Sequence, residues 1–180
     1  MDSSKMKAIY KVTDTHVYGF FDRHRYLSNF HLHPVEYEGV TYPSNEHAYH
    51  AAKIAPGSTQ PSNVNRYAFT GLTPSEAKSL GRSVNLRNDW LFELPQADQL
   101  SDSQGVLILQ VRDKIMLDLN RSKFTQNTGL SKLLEETGSL YLEETNWWRD
   151  DYWGVFEGTG LNKLGRILMM IREDLKKSAA

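Results

Sequence analysis

The spacing of hydrophobic residues predicts short strands in the first quarter of the chain. Residues 8–21 (AIYKVTDTHVYGFF) are rich in Val, Ile, Tyr and Phe, which favours one or two strands. In residues 35–42, apolar positions alternate on both sides of Glu38-Gly39, a pattern typical of a two-residue β-hairpin. Pro43 ends the second strand, because proline cannot donate a hydrogen bond within a sheet.

Five later segments have the periodicity or the capping residues of helices. Ser44 is a candidate N-cap for a helix that reaches about Ile54. Thr73 begins another helix, since a proline and a capping-box glutamate follow it, and Gly81 is its predicted end. Helical patterns also cover residues 103–119, 129–138 and 162–177. Strands do not alternate with helices, so the prediction is an α+β fold: a mainly helical single domain with a small antiparallel β-sheet or hairpin.

Composition then limits the classes of function. The 180 residues include 21 Lys and Arg against 22 Asp and Glu, a balance too neutral for strong non-specific nucleic-acid binding. The absence of cysteine excludes disulfides, thiolate zinc sites and a cysteine nucleophile. No apolar run is long enough to span a bilayer, and the first residues lack a signal-peptide core. We therefore expect an intracellular, cytoplasmic protein (nuclear is an alternative in a eukaryote) without a membrane partner.

Residues 42–53 (YPSNEHAYHAAK) concentrate ionisable side chains in the first turns of a predicted helix. The zinc signature His-Glu-x-x-His needs two histidines four residues apart with the glutamate beside the first. Here His47 and His50 are three residues apart, and Glu46 precedes both. A metal shared by the two histidines is an alternative, but no third ligand stands nearby in the sequence. We expect no metal and no cofactor.

A reaction without a metal would use Glu46 and Lys53. On a helix both residues lie on the face that also carries His50, and their Cα atoms are about 10.5 Å apart along the axis. Helical side chains lean toward the N-terminus, so the lysine reaches back toward the glutamate. A carboxylate and an amine that meet at one carbon suit acid–base chemistry or an imine-forming lysine. On spacing alone, the polar face of an ordinary helix is the simpler explanation.

Three other clusters are candidates for substrate contacts. Residues 26–30 (YLSNF) either hold a planar ring or form a turn with a buried phenylalanine. Arg82 and Trp90 are candidates for a phosphate contact and a ring contact. The glycine-rich residues 158–165 (GTGLNKLG) open the last helix and suit a phosphate, but an ordinary loop explains them equally well. Their spacing is not the dinucleotide fingerprint.

Taken together, these motifs resemble the NADAR (NAD- and ADP-ribose-associated) family. The resemblance runs from about Tyr18 to Leu175, through residues 26–30, 38–53, 81–90, 123–138 and 150–175 in order. It implies a NADAR-like N-glycosidase domain over residues 18–176, a lead-in over residues 1–17 that includes a strand, and a tail over 177–180. Asn45 stands where the family commonly has serine, which leaves the neighbouring acid in place.

The resemblance also implies a site and a mechanism. Lys53 and Glu46 fall on the family's catalytic positions, and the lysine is expected to attack the anomeric carbon and hold the opened sugar as an imine. The expected substrate-binding residues are Ser28, Asn29, Phe30, Arg82, Trp90, Asp150, Trp153, Gly154, Gly160, Asn162 and Gly165.

For the substrate, the resemblance favours removal of ADP-ribose from guanine in DNA or nucleotides. The alternatives are hydrolysis of ribosylamino-pyrimidine intermediates of riboflavin synthesis and a module that binds ADP-ribose or NAD without turnover. A flipped base needs only a pocket and a few arginines, so the near-zero net charge is compatible with removal of ADP-ribose from guanine in DNA.

Overall fold

Six α-helices and nine short strands make up the regular structure of residues 3–179, the part of the chain that the computed structural model describes. The helices are α1 (Ser3–Ile9), α2 (Asn45–Ala51), α3 (Pro74–Ser83), α4 (Val111–Thr125), α5 (Thr128–Glu136) and α6 (Lys163–Ala179). The strands are β1 (Lys11–Val12), β2 (His16–Tyr18), β3 (Val35–Tyr37), β4 (Val40–Tyr42), β5 (Leu100–Asp102), β6 (Gly105–Ile108), β7 (Tyr141–Glu143), β8 (Thr145–Asn146) and β9 (Val155–Phe156). The predicted α+β class, mainly helical with small sheets, is confirmed.

The chain divides into two compact units, and the first comprises Met1–Ser28 and Phe124–Ala180. Here β2 pairs antiparallel with β1 and parallel with β7, while β8 pairs parallel with β9. The sequence predicted antiparallel pairing only, because neither parallel pair is joined by a tight turn that would leave a hairpin signal. Helix α6 buries an apolar stripe that includes Leu164, Leu168 and Ile171. Residue 180 of the predicted tail and residues 1 and 2 of the lead-in lie outside the described residues.

The second unit, Asn29–Lys123, contains the predicted hairpin of β3 and β4. Glu38 and Gly39 both have positive φ, at 47° and 77°, as a type I′ turn requires. Helix α2 follows this hairpin and packs against α3. The capping box of α3 is present as predicted, with the Thr73 side chain accepting from the Glu76 amide while Glu76 accepts from the Thr73 amide.

Several predicted helix boundaries in this unit are wrong. Residues 105–108 form β6, which pairs with β5 across a tight turn, and α4 begins only at Val111. A short apolar run fits a strand or a helix equally well, so periodicity could not decide between them. Gly81 does not end α3, which continues to Ser83. Within residues 3–179, no helix combines the length and apolar character that a membrane span requires.

Candidate active site

The polar cluster of residues 42–53 begins at the buried N-terminus of α2. Ser44 is the N-cap by backbone conformation, but its hydroxyl makes no capping bond and lies 2.7 Å from Nδ1 of His47. On the other side of the ring, His47 Nε2 lies 2.8 Å from the carbonyl oxygen of Leu72. Since a carbonyl only accepts, Nε2 carries the proton and Nδ1 accepts from Ser44. Both ring nitrogens of His47 are therefore engaged in holding α2.

Glu46 and His50 form a buried pair one turn apart on α2. The distance between His50 Nε2 and Glu46 Oε1 is 3.0 Å, and the two residues are 6% and 7% exposed. Burial lowers the pKa of His50, and the nearby Lys53 and Lys78 lower it further, while the bond and charge of Glu46 act in the opposite direction. A neutral imidazole donates through Nε2 to Oε1 of the Glu46 carboxylate, which leaves its own Nδ1 without a hydrogen-bond partner in the described part of the chain.

Lys53 lies just beyond α2, which ends at Ala51 rather than near Ile54 as predicted. Its ammonium group donates a hydrogen bond to the carbonyl oxygen of Gly81 at 2.8 Å. Burial lowers the pKa of Lys53 to about 8, with Glu46 opposing the shift and Arg82 and Lys78 adding to it. An appreciable fraction of this amine is therefore neutral, and nucleophilic, near physiological pH.

Both His50 and Lys53 contact α3 at Gly81. A Cβ atom built on Gly81 would lie 2.2 Å from Nδ1 of His50, closer than any real contact. Only glycine allows the imidazole to lie against this part of the helix backbone, while the carbonyl of the same residue accepts the lysine bond. The sequence predicts Gly81 as a helix end and does not predict this arrangement. A glycine inside a capped helical pattern was the available signal.

Asn29 and Phe30 lie in the same unit as Glu46 and Lys53. The carbonyl of Asn29 accepts the backbone amide of Glu46 at 3.0 Å, so residue 29 supports the start of α2. The Asn29 side-chain oxygen accepts from Asn120 at 3.3 Å, within a group of buried amides. The Lys78 ammonium lies 5.4 Å from the centre of the Phe30 ring. Ser28 belongs to the first unit, where it is the C-cap of the 3₁₀ helix Asp22–Leu27 and its amide donates to the carbonyl of Arg25.

Trp90 and Arg82, the other predicted contacts of the second unit, differ in exposure. Trp90 is 3% exposed and its ring centre lies 5.2 Å from that of Tyr49, so it packs inside the unit. Arg82 is exposed, and its charge is one of those that lower the pKa of Lys53. The structure therefore connects Arg82 to the lysine electrostatically.

The remaining predicted contacts lie in the first unit and make tight backbone turns. The Asp150 carboxylate accepts from the amides of Tyr152 and Trp153, at 3.2 and 2.9 Å. The rings of Tyr152 and Trp153 then meet edge to face, with centres 5.0 Å apart. Asp150 thus shapes the turn that presents Trp153, and a substrate contact by either residue stays a prediction.

Backbone hydrogen bonds join the start of α6 to the turn at residues 151–154. The amides of Leu161, Asn162, Lys163 and Leu164 donate to the carbonyls of Asp151, Gly154, Tyr152 and Trp153. The backbone amides of residues 161–164 are therefore already bonded within the protein, and a substrate contact by this glycine-rich segment stays a prediction. Asn162 has a φ of 47°. Its side-chain NH₂ group donates to the Leu142 carbonyl and the Tyr141 hydroxyl, and its side-chain oxygen accepts from the Glu144 amide.

The three glycines predicted near the substrate occupy positions where backbones approach closely. A Cβ at Gly154 would lie 2.3 Å from the carbonyl oxygen of Glu144. At Gly160 it would lie 2.2 Å from that of Gly154, and at Gly165 2.1 Å from that of Leu142. Close packing in the first unit accounts for each of the three glycines, whatever they contact in a complex.

Comparison with known proteins identifies the family. The model of the NADAR domain matches residues 13–176. The chain belongs to the NADAR domain family. N-glycosidase YbiA of Escherichia coli is 28% identical to this NADAR chain over 176 residues, which is 96% of this chain and 95% of YbiA. The NMR structure of E. coli YbiA superposes with a TM-score of 0.68, covering 97% of this chain and 93% of YbiA.

A second NADAR relative is longer. The riboflavin biosynthesis protein of Vibrio vulnificus is 31% identical over 161 residues, which is 88% of this chain. This chain spans only 37% of the length of the Vibrio protein. The family prediction is confirmed, and the name of YbiA supports the prediction of a glycosidase.

Proposed function

We propose that this NADAR chain is an N-glycosidase that cleaves the bond between a ribosyl carbon and a nitrogen, with Lys53 as the nucleophile. One observation carries the proposal: the Lys53 amine is largely buried, its pKa is lowered to about 8, and the Glu46 carboxylate is close enough to act on it electrostatically. An amine that loses its proton readily near physiological pH, beside a carboxylate that can accept that proton, is what imine chemistry needs. The relative named an N-glycosidase supports the bond type.

The proposed reaction begins with Glu46 taking a proton from the Lys53 ammonium. The Lys53 nitrogen then bonds to the anomeric carbon as the carbon–nitrogen bond to the base breaks, and Glu46 returns the proton to the departing base nitrogen. The ring oxygen next leaves the anomeric carbon and takes a proton from the lysine nitrogen, which leaves a protonated imine. Water adds to this imine, and expulsion of the lysine amine releases the free sugar.

Reduction with borohydride tests the nucleophile. In the presence of a ribosylated substrate, hydride converts the imine to a stable secondary amine, and we expect the added mass on the peptide that contains Lys53. Lys53→Ala should give no adduct and no release of base. Equal trapping in wild type and Lys53→Ala would show that another group attacks.

Two substrates are proposed, in order. The first is ADP-ribosylated guanine in DNA or a nucleotide, which the motif resemblance favours and which requires a local pocket because the net charge is only −1. The second is a ribosylamino-pyrimidine intermediate of riboflavin synthesis, favoured by the name of the Vibrio relative.

A direct comparison of release rates on the two substrates decides between them. We expect kcat/KM to be at least 100-fold higher on the physiological substrate class. Wild type that binds ADP-ribose but releases nothing from either substrate would instead be a binding module.

A further inference from the structure

We propose that His50 is a positioning residue for Glu46. It holds the Glu46 carboxylate by one hydrogen bond, and its own ring packs against the backbone at Gly81. This inference rests on the proposed N-glycosidase activity, in which Glu46 moves protons. His50 is not part of that proposed mechanism, yet it is the side chain that bonds to the Glu46 carboxylate.

The bond fixes one oxygen of the carboxylate. Nε2 of His50 lies 3.0 Å from Oε1 of Glu46, and both side chains are less than 10% exposed. Within residues 3–179, Oε2 receives no hydrogen bond. Glu46 therefore has one oxygen anchored by the protein and one available to a lysine proton, a departing base or water.

The protonation state of His50 suits positioning rather than proton transfer. The charged groups that act on the ring are Glu46 on its own helix, Lys53 beyond that helix and Lys78 on α3. Because an ionised carboxylate can only accept, the neutral ring carries its proton on Nε2. Its Nδ1 is buried and has no hydrogen-bond partner in the described part of the chain. His50 thus has one usable proton, which is committed to Glu46.

The position of the ring is set by α3. Gly81 would place a Cβ atom 2.2 Å from Nδ1, 2.4 Å from Cγ and 2.6 Å from Cβ of His50. The carbonyl oxygen of Gly81 also accepts the Lys53 hydrogen bond at 2.8 Å. One residue therefore locates the nucleophile directly and the carboxylate through His50, so the acid and the amine keep a fixed relation.

An ordinary buried histidine would have a different signature from a positioning one. A histidine needed only for packing lowers stability when it is removed, and the folded fraction keeps its kcat. A positioning histidine lowers kcat without changing KM, because it touches the carboxylate and not the substrate. Misplacement of a catalytic group by about 1 Å costs on the order of 100-fold in rate.

The experiment compares His50→Leu, His50→Gln and His47→Gln with wild type at temperatures where all are folded. His50→Leu should lose 10- to 100-fold in kcat and in the rate of borohydride-trapped adduct, with KM within about two-fold. His50→Gln retains an amide donor and should recover most of the rate. His47→Gln, on the same helix but bonded to Ser44 and Leu72, controls for loss of a buried imidazole.

Two outcomes would overturn the positioning role: wild-type kcat in His50→Leu, or an equal loss of kcat in His47→Gln. A readout without substrate separates this from failure of the proposed function. In ¹H–¹⁵N spectra of the imidazole at pH 7, His50 should be neutral with its proton on Nε2, and its resonances should move in Glu46→Gln. If wild type cleaves neither substrate, the N-glycosidase proposal fails. A His50 ring unaffected by Glu46→Gln refutes the positioning proposal by itself.

Discussion

The Lys53 side-chain nitrogen lies 2.8 Å from the carbonyl oxygen of Gly81 and donates a hydrogen bond to it. A carbonyl accepts from an ammonium group and, more weakly, from a neutral amine, so a bond remains when the lysine loses its proton. The proposed nucleophile is therefore held in place in the protonation state that attacks. The position of the lysine nitrogen depends on the backbone carbonyl oxygen of residue 81. No substitution at residue 81 removes that oxygen, but a larger side chain there would displace it.

The pH dependence of adduct formation should depend on Arg82. Because the neutral amine attacks, the rate of trapping should rise with pH through a midpoint near the Lys53 pKa of about 8. Arg82 lowers that pKa, so Arg82→Gln should move the midpoint to higher pH by a fraction of a unit. Pre-steady-state trapping between pH 6 and 10 measures it. Since Arg82 is exposed, 1 M salt should shrink the difference, and Lys11→Gln should leave the midpoint unchanged. An unmoved midpoint in Arg82→Gln would contradict the electrostatic coupling.

Replacement of Lys53 should stabilise the protein while abolishing the reaction. The pKa of Lys53 is about 8 in the folded state, below the ordinary value of 10.5, so the unfolded chain binds more protons between these two pH values. The wild-type free energy of unfolding therefore rises with pH across this window, and the full penalty of about 3 kcal/mol is present below pH 8.

Lys53→Met lacks that charge but also loses the bond to Gly81. We expect it to be more stable than wild type by about 1–2 kcal/mol at pH 7, with the difference closing and then reversing as the pH rises toward 10.5, where only the lost bond remains. Urea unfolding at pH 7, 9 and 10.5 measures this. A gap independent of pH would show that the charge of Lys53 is not the cause.

Gly81→Ala should reduce activity even though alanine favours helices. In an unhindered helix the change stabilises by about 0.5–1 kcal/mol. At Gly81 the new Cβ would clash with the His50 ring, so we expect a lower melting temperature and at least a 10-fold lower kcat. Gly129→Ala in α5 is the matched control, because its nearest neighbour, at 3.4 Å, is in ordinary contact. Thermal unfolding and initial rates on both variants test this. Equal behaviour of the two would mean that the His50 ring shifts at no cost.

Asn162→Ala separates a structural contribution from substrate binding. The Asn162 side chain donates to Leu142 and Tyr141 and accepts from the Glu144 amide, and its φ of 47° disfavours alanine. We expect a loss of about 3 kcal/mol and a melting temperature lower by about 6–12 °C. Calorimetry measures the structural contribution, and KM measures the contribution to substrate binding. A raised KM with an unchanged melting temperature would instead place Asn162 in the substrate site.

Local sequence features determined the parts of the fold that depend on near neighbours. The α3 capping box needs only Thr73 and Glu76, and the hairpin turn needs only Glu38 and Gly39, so both were predictable. The order of the motifs was sufficient to predict the family, and the histidine spacing argued against a zinc signature. Lys53 and Glu46 were named from sequence, although by way of a helix that ends before Lys53.

Only the tertiary structure decided what surrounds those two side chains. Burial lowers the pKa of Lys53, and burial is a sum over residues far apart in the chain. The contact of Gly81 with His50 joins positions 31 residues apart, across two helices. Periodicity and capping report interactions within about four residues, whereas desolvation and close backbone approach depend on which distant segments pack together. The sequence therefore determined which groups are available for chemistry, and the packing of α2 against α3 decided their charge and position.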